Sequence, residues 1–326
     1  MSTLMISTII TISAHSWLGM WIGLEINLLS FIPLMNSSKN SMSTEASIKY
    51  FIVQALASTI LLFSMISMSM MFPYLTFSKT LTLIMNSALL TKMGAAPFHF
   101  WFPEVTEGLN WINVMILLTW QKIAPMILLM YNINHVYFNF IILSCMVISG
   151  VMGINQISIR KILAYSSINH IGWMISAMMF FETIWFYYFL VYTLITANII
   201  FILNKQNSFY LKQLFNSMKN NFIMKLFFIM NFMSLGGLPP FIGFFPKWIT
   251  IQTMVTNNSF MMSFLMIILT LFTLYFYMRI TFSTILLSSN ETKFFAPPAQ
   301  SNFTLILFNF LTIMGLLYCT MIFNLI

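Results

Sequence analysis

The sequence predicts an all-α, polytopic membrane protein of about 11 transmembrane helices, with inverted repeats and two broken helices, in a single transmembrane domain over residues 1–326. Three observations carry this. Sixty per cent of the 326 residues are hydrophobic and only 6% are charged, and the mean hydropathy of +0.89 lies outside the range of soluble domains. Apolar runs of roughly 20 residues recur between short polar connections, the length that crosses a ~30 Å hydrocarbon core. Two of these runs are overlong and are interrupted by Gly and Pro.

The first apolar run, 2–14, is short for a span and completes the count. Met1 leads into it without a basic region or a small-residue cleavage site, so the segment is expected to be retained. Full-length runs follow near 16–35, 49–72, 79–103, 111–131, 137–156, 162–180, 183–203, 222–257, 259–287 and 303–325. If these alternate across the membrane, Lys39, Lys49, Arg160, Lys161, Lys205, Lys212, Lys219, Lys225 and Lys293 share one side and Lys79 lies on the other. The positive-inside rule makes the lysine-rich side the matrix or cytoplasm, with the N-terminus on it and the C-terminus opposite.

The run 79–103 is broken at Gly94-Ala95-Ala96-Pro97 and the run 222–257 at Gly236-Gly237-Leu238-Pro239-Pro240. Pro removes a helix donor, and unwound backbone at membrane depth survives only inside protein or beside water. By the alternation the two runs point in opposite directions. Paired interrupted segments of this kind indicate an inverted-repeat transporter and its site. Between the spans, 205–221 reads either as an amphipathic surface helix, with Phe209, Leu214, Phe215 and Met218 on its apolar side, or as a solvated basic loop.

Charge and cysteine usage exclude several classes. The net charge of +8 sits mostly in connections, which makes it a topology signal rather than a nucleic-acid footprint. Cys145 and Cys319 lie in apolar runs with no partner at metal-ligand spacing, against iron–sulfur, zinc or disulfide roles. His15, His99, His135 and His170 do not form the same-helix pairs that clamp stacked haems.

The exceptions inside the apolar body are Glu25, Lys92, Lys122 and Lys247. A charge at the bilayer centre costs roughly 2.5–3.5 kcal/mol on insertion scales, so each needs a partner, water or a task, and intramembrane ionisable residues read as an ion or proton path. Lys92 lies about 20 Å along its run at ~1.5 Å per residue, too deep for easy snorkelling. A Lys facing Glu25 would change its proton affinity as the pair opens, which makes Glu25 a modulator. His99 and His170, with Tyr165, Ser166 and Ser167, are candidates for a proton wire, although a satisfied interior histidine is the commoner case. Glu45 and Lys49, spaced i,i+4, read as a surface pair.

Five strings then carry a resemblance: Trp21-Ile-Gly-Leu-Glu25-Ile-Asn27; Lys92-Met-Gly-Ala-Ala-Pro-Phe-His-Phe-Trp-Phe-Pro-Glu-Val105; Leu118-Thr-Trp-Gln-Lys122-Ile-Ala-Pro125; Arg160-Lys-Ile-Leu-Ala-Tyr-Ser-Ser-Ile-Asn-His170-Ile-Gly-Trp173; and Gly236-Gly-Leu-Pro-Pro-Phe-Ile-Gly-Phe-Phe-Pro-Lys247-Trp248. Over nearly the whole chain, in order, they resemble the antiporter-like subunits of mitochondrial NADH:ubiquinone oxidoreductase, respiratory complex I. The 30 Met and 35 Phe fit translation from an AT-rich animal mitochondrial genome, insects being a natural source. The resemblance implies a proton-pumping subunit of the inner-membrane arm, with Lys122 as central relay and Lys247 as the distal lysine. It implies no cofactor in this chain, with FMN, iron–sulfur clusters and ubiquinone in partner subunits. The expected partners are other membrane-arm and accessory subunits and phospholipid, including cardiolipin, and not nucleic acid. A free-standing cation/proton antiporter and a structural scaffold remain the alternatives.

Overall fold

The structure, a computed structural model, describes residues 1–36, 40–70, 75–218, 222–239, 241–286 and 309–310. The expected run 303–325, apart from 309 and 310, lies outside the described residues, as do Lys39, Lys219, Pro240, Lys293 and Cys319. Within them the chain is almost entirely helical, with an isolated antiparallel bridge between Ser158 and Tyr210. It divides into two compact units, Met1–Cys145 and Met146–Ile326.

Unit 1 holds α1 (Ser2–Ser13), α2 (Trp17–Met35), α3 (Ser41–Met70), α4 (Leu75–Met93), α5 (Trp101–Gly108), α6 (Trp111–Leu118), α7 (Trp120–Met130) and the first half of α8 (His135–Ile154). The short opening run is thus a helix, and it packs on α2, with the Ser16 side chain capping the α2 N-terminus by accepting from Gly19 N–H. Unit 2 holds the rest of α8, then α9 (Ile159–Met178), α10 (Glu182–Gln206), α11 (Leu211–Met218), α12 (Phe222–Gly236), α13 (Phe244–Thr256) and α14 (Phe260–Leu286). The described part of the 205–221 stretch, 205–218, holds the end of α10 and the short α11, which buries Leu214 and Met218 and leaves Lys212 exposed.

Six described helical stretches are long and apolar enough to cross a membrane: Trp17–Met35, Ser41–Met70, Trp111–Met130, His135–Ile154, Glu182–Gln206 and Phe260–Leu286. Their polar side chains are reconciled with an apolar setting locally. Hydroxyls such as those of Ser58, Ser64 and Ser149 donate to the carbonyl three residues back, which satisfies these donors without water. A different solution governs α9. Its residues are buried without interruption from Ile162 to Met178, as in a helix surrounded by protein, and its polar residues can therefore meet other polar groups.

Both interrupted runs break where Gly and Pro cluster. Helix α4 ends at Met93 and α5 begins at Trp101; α12 ends at Gly236 and α13 begins at Phe244. The two ends are built alike. Gly94 N–H donates to Thr91 O at 3.2 Å and Ala95 N–H to Leu90 O at 3.1 Å; Gly237 N–H donates to Ser234 O at 3.0 Å and Leu238 N–H to Met233 O at 3.4 Å. Each is a Schellman cap, which requires a left-handed residue just past the helix. Gly94 (φ +72°) and Gly237 (φ +78°) supply it. Neither position has room for a side chain: a Cβ would meet the Phe102 ring at 2.9 Å in the first and Lys247 Cδ at 2.7 Å in the second.

A third, smaller interruption separates α6 from α7 at Thr119. The sequence reading treats 111–131 as one run. Pro125 is the physical reason for the difference, since it has no N–H for the carbonyl of Gln121 and its ring crowds that carbonyl. The preceding turn tightens, with Lys122 N–H reaching back only to Thr119 O at 3.2 Å.

Replacing Gly94 or Gly237 by Ala is expected to destabilise the detergent-extracted protein by about 1–2 kcal/mol for the left-handed backbone alone, and by more once the contact with Phe102 or Lys247 is added. Thermal unfolding followed by cysteine-reactive dye checks this. Wild-type midpoints for both variants would show that the breaks do not need a left-handed residue.

Candidate functional site

In unit 1 the α4 break gathers the charged candidates. Lys92 sits in the last turn of α4, 7% exposed. Its own carbonyl accepts from Gln54 Nε2 on α3 at 3.2 Å, and the carbonyl of Thr91 accepts from Trp101 Nε1 at 3.1 Å. Glu25, half-buried on α2, lies within electrostatic range of Lys92. The close ion pairs of this unit form elsewhere: Lys49 Nζ lies 2.9 Å from both Glu45 and Glu104. The expected i,i+4 pair is therefore present and reaches further, tying α3 to the start of α5.

Lys122 on α7 is 1% exposed and its Nζ lies 5.6 Å from the centre of the Phe102 ring, a cation–π distance. It also lies within electrostatic range of Cys145 on α8. Around the break, Ser144 Oγ donates to Ala96 O at 3.0 Å and the Cys145 thiol approaches the same oxygen at 3.8 Å. The unwound backbone thus finds its donors in the neighbouring helix, as unwound backbone in an apolar setting must. His99 belongs to this break: it is buried, with Nδ1 3.2 Å from Pro97 O and its ring 4.5 Å from that of Phe100.

Amides missed by the sequence reading line the same region. Asn27 on α2 and Gln121 on α7 pair reciprocally, Asn27 Nδ2 donating to Gln121 Oε1 at 3.0 Å and Gln121 Nε2 to Asn27 Oδ1 at 3.3 Å. With Gln54, Tyr50, Leu24, Leu28, Lys92 and Pro125 they line a cavity of about 10 Å³. Their signal was present: Asn27, Gln54 and Gln121 are uncharged polar residues inside apolar runs, where an unpaired amide costs several kcal/mol in hydrocarbon and so implies a partner.

In unit 2, Lys247 on α13 closes the second break. Its Nζ donates to Gly236 O at 2.9 Å and Leu235 O at 3.2 Å, the open carbonyls at the end of α12, and lies 5.9 Å from the Trp173 ring centre. Glu182, at the start of α10, is the one carboxylate among the described residues of this unit. The negative end of a helix therefore takes the place of a counter-ion.

Helix α9 carries the wire candidates. His170 Nδ1 lies 2.9 Å from the Tyr188 hydroxyl on α10, and the Tyr192 ring lies 5.0 Å from the imidazole. Ser166 and Ser167 are buried and donate to the carbonyls of Leu163 and Ala164 at 2.7 Å; Tyr165 is buried beside them. Asn169 Nδ2 donates to Thr273 Oγ1 on α14 at 3.2 Å. Tyr188 and Thr273 went unnoticed in the sequence, because a Tyr or Thr in an apolar helix carries no positional signal. Arg160 lies over the Phe209 ring at 4.6 Å, and Arg279 Nη1 donates to Ile154 O at 3.2 Å. Among the described residues no three His, Cys, Asp or Glu side chains gather as a metal site.

The geometry invites comparison with known proteins. Residues 14–273 match the model of a family described as NADH:quinone oxidoreductase/Mrp antiporter, transmembrane. The chain is 47% identical to NADH-ubiquinone oxidoreductase chain 2 of Anopheles gambiae over 98% of its length and 96% of the relative's. It is 51% identical to the chain of the same name from Aedes aegypti, over 97% and 94%. A subunit in respiratory complex I from Thermus thermophilus with bound aureothin has the same fold, with a TM-score of 0.86 at 23% identity, over 97% of this chain and 76% of that one. A chain of the Mrp complex from Dietzia superposes with a TM-score of 0.81 at 15% identity, over 98% and 74%.

Replacing Lys247 by Met would leave Leu235 O and Gly236 O without these donors. The loss of a buried partner costs about 1–3 kcal/mol per group, so backbone exchange at Gly237 and Leu238 is expected to quicken by roughly tenfold or more. Hydrogen-exchange mass spectrometry on this peptide reads it. Unchanged exchange would mean that Lys247 does not hold the break.

Proposed function

Because the chain belongs to the NADH:quinone oxidoreductase/Mrp antiporter transmembrane family, we propose that it is a proton-translocating subunit in the membrane arm of an NADH:ubiquinone oxidoreductase. The protons move through Glu25, Lys92, Lys122 and Lys247 while quinone is reduced in other subunits. The observation that carries this reading is the burial of three lysines beside helix interruptions, where the Lys122 ammonium lies against the Phe102 ring, that of Lys247 donates to two backbone carbonyls and Lys92 stands within electrostatic range of Glu25. A purely structural charge would be expected to sit in a closed ion pair, as Lys49 does. An ammonium held by carbonyls or set against a ring can give up its proton without leaving a bare carboxylate behind.

Membership of an oxidoreductase rather than a free-standing antiporter is favoured by the relatives: 47–51% identity to the insect oxidoreductase chains against 15% to the Mrp chain. On this reading the redox activity belongs to the assembly. FMN, iron–sulfur clusters and ubiquinone reside with partner subunits, and the chain lies in the mitochondrial inner membrane with its N-terminus in the matrix and its C-terminus on the intermembrane side. The finer architecture, about 11 spans arranged as an inverted repeat, is supported by the recurrence of one Schellman cap at both breaks. His99 and His170, with Tyr165, Ser166 and Ser167, would extend the path with water. Exposed apolar residues along α3 and α14 suit phospholipid, cardiolipin included.

Lys92→Met or Lys122→Met in the assembled complex keeps the apolar length of the side chain and removes the titrating nitrogen. Proton transport is expected to fall about tenfold or more, and NADH oxidation through quinone with it. NADH oxidation by an artificial acceptor that bypasses quinone should stay near wild type. Full proton stoichiometry in both variants would contradict the relay, and loss of the assembled complex in both would favour a scaffold.

A further inference from the structure

The reciprocal amide pair Asn27–Gln121 has no part in the relay as described, yet it is built into its wall. Asn27 stands two residues after Glu25 and Gln121 one residue before Lys122. Both side chains line the cavity of about 10 Å³ that Lys92 also lines. That volume is near the least that accommodates a single water, and Lys92, Gln54, Asn27 and Gln121 offer the two to four polar partners such a water needs. Lys122 is not among the lining residues; its ammonium lies against Phe102 instead. Helix α7 therefore presents an amide to the cavity and an amine elsewhere.

An amide donates and accepts hydrogen bonds but does not titrate near neutral pH. Paired with another amide through one N–H and the C=O, it is a polar plug that water can touch and protons do not cross. We infer that Asn27 and Gln121 form a gate between Lys92 and Lys122. Closed, the pair holds one water against Lys92 and insulates it; opened, it lets water join the two amines. In the open state the Lys92 ammonium gives a proton to water, the hydronium so formed gives one to the neutral amine of Lys122, and the water is regenerated. The amides lose nothing.

This inference rests on the lysine relay proposed above. Its test is Gln121→Glu, and separately Asn27→Asp, in the assembled complex in sealed vesicles, with assembly checked on a native gel. A titrating group in place of the insulator should leave NADH oxidation through quinone near wild type while protons moved per electron fall about twofold or more. If an acid variant fails to assemble, Gln121→Ser, which opens space for water without adding charge, should give the same leak. Wild-type coupling in every assembled variant, alongside a Lys122→Met complex that no longer pumps, overturns the gate and leaves the relay standing. Wild-type pumping by Lys122→Met removes the relay itself and the gate with it.

Discussion

An ammonium and an open helix end are each costly in an apolar interior, and unit 2 makes them satisfy one another. Lys247 needs acceptors; the carbonyls of Leu235 and Gly236 need donors; the left-handed Gly237 brings them within 3.2 Å. The break in α12 is therefore part of the charge site rather than a defect beside it. Without the turn the carbonyls would be spent inside the helix, and without the amine the turn would leave them bare.

Unit 1 solves the same backbone problem with a neutral group. The carbonyl of Lys92 stands one residue before the helix's last residue, as that of Leu235 does, and it accepts from the amide of Gln54 where Leu235 accepts from an ammonium. One break is thus fastened by a group that titrates and the other by a group that does not. This leaves the Lys92 side chain free of backbone duty, within reach of the field of Glu25, whereas loss of a proton at Lys247 also changes what holds its helix end. The chemistry of a proton and the mechanics of a hinge meet at Lys247 and are kept apart at Lys92.

What the sequence reveals follows from the range of the signal. Gly and Pro act on their own backbone, so both breaks were legible at residues 94–97 and 236–239, and the rarity of charge made Lys92, Lys122 and Lys247 conspicuous. Buried carbonyl acceptors leave no mark in a sequence, so a deep lysine announces only that it needs a partner, water or a task, and the backbone acceptors of Lys247 emerge with the fold. The interruption at Thr119 hid because its cause, Pro125, lies a turn and a half away. Pairings such as Asn27 with Gln121, 94 residues apart, or His170 with Tyr188, depend on which helices become neighbours, and periodicity says nothing of that.

The central claim is that buried lysines change protonation during turnover. Infrared difference spectroscopy on the assembled complex, oxidising NADH with and without ¹⁵N-labelled lysine, reads the ammonium deformation directly. The expected result is a turnover-dependent lysine band that shifts with the label and weakens when Lys92, Lys122 or Lys247 is replaced by Met. A spectrum with no lysine band during full proton pumping would contradict it, leaving these charges as fixed structural groups.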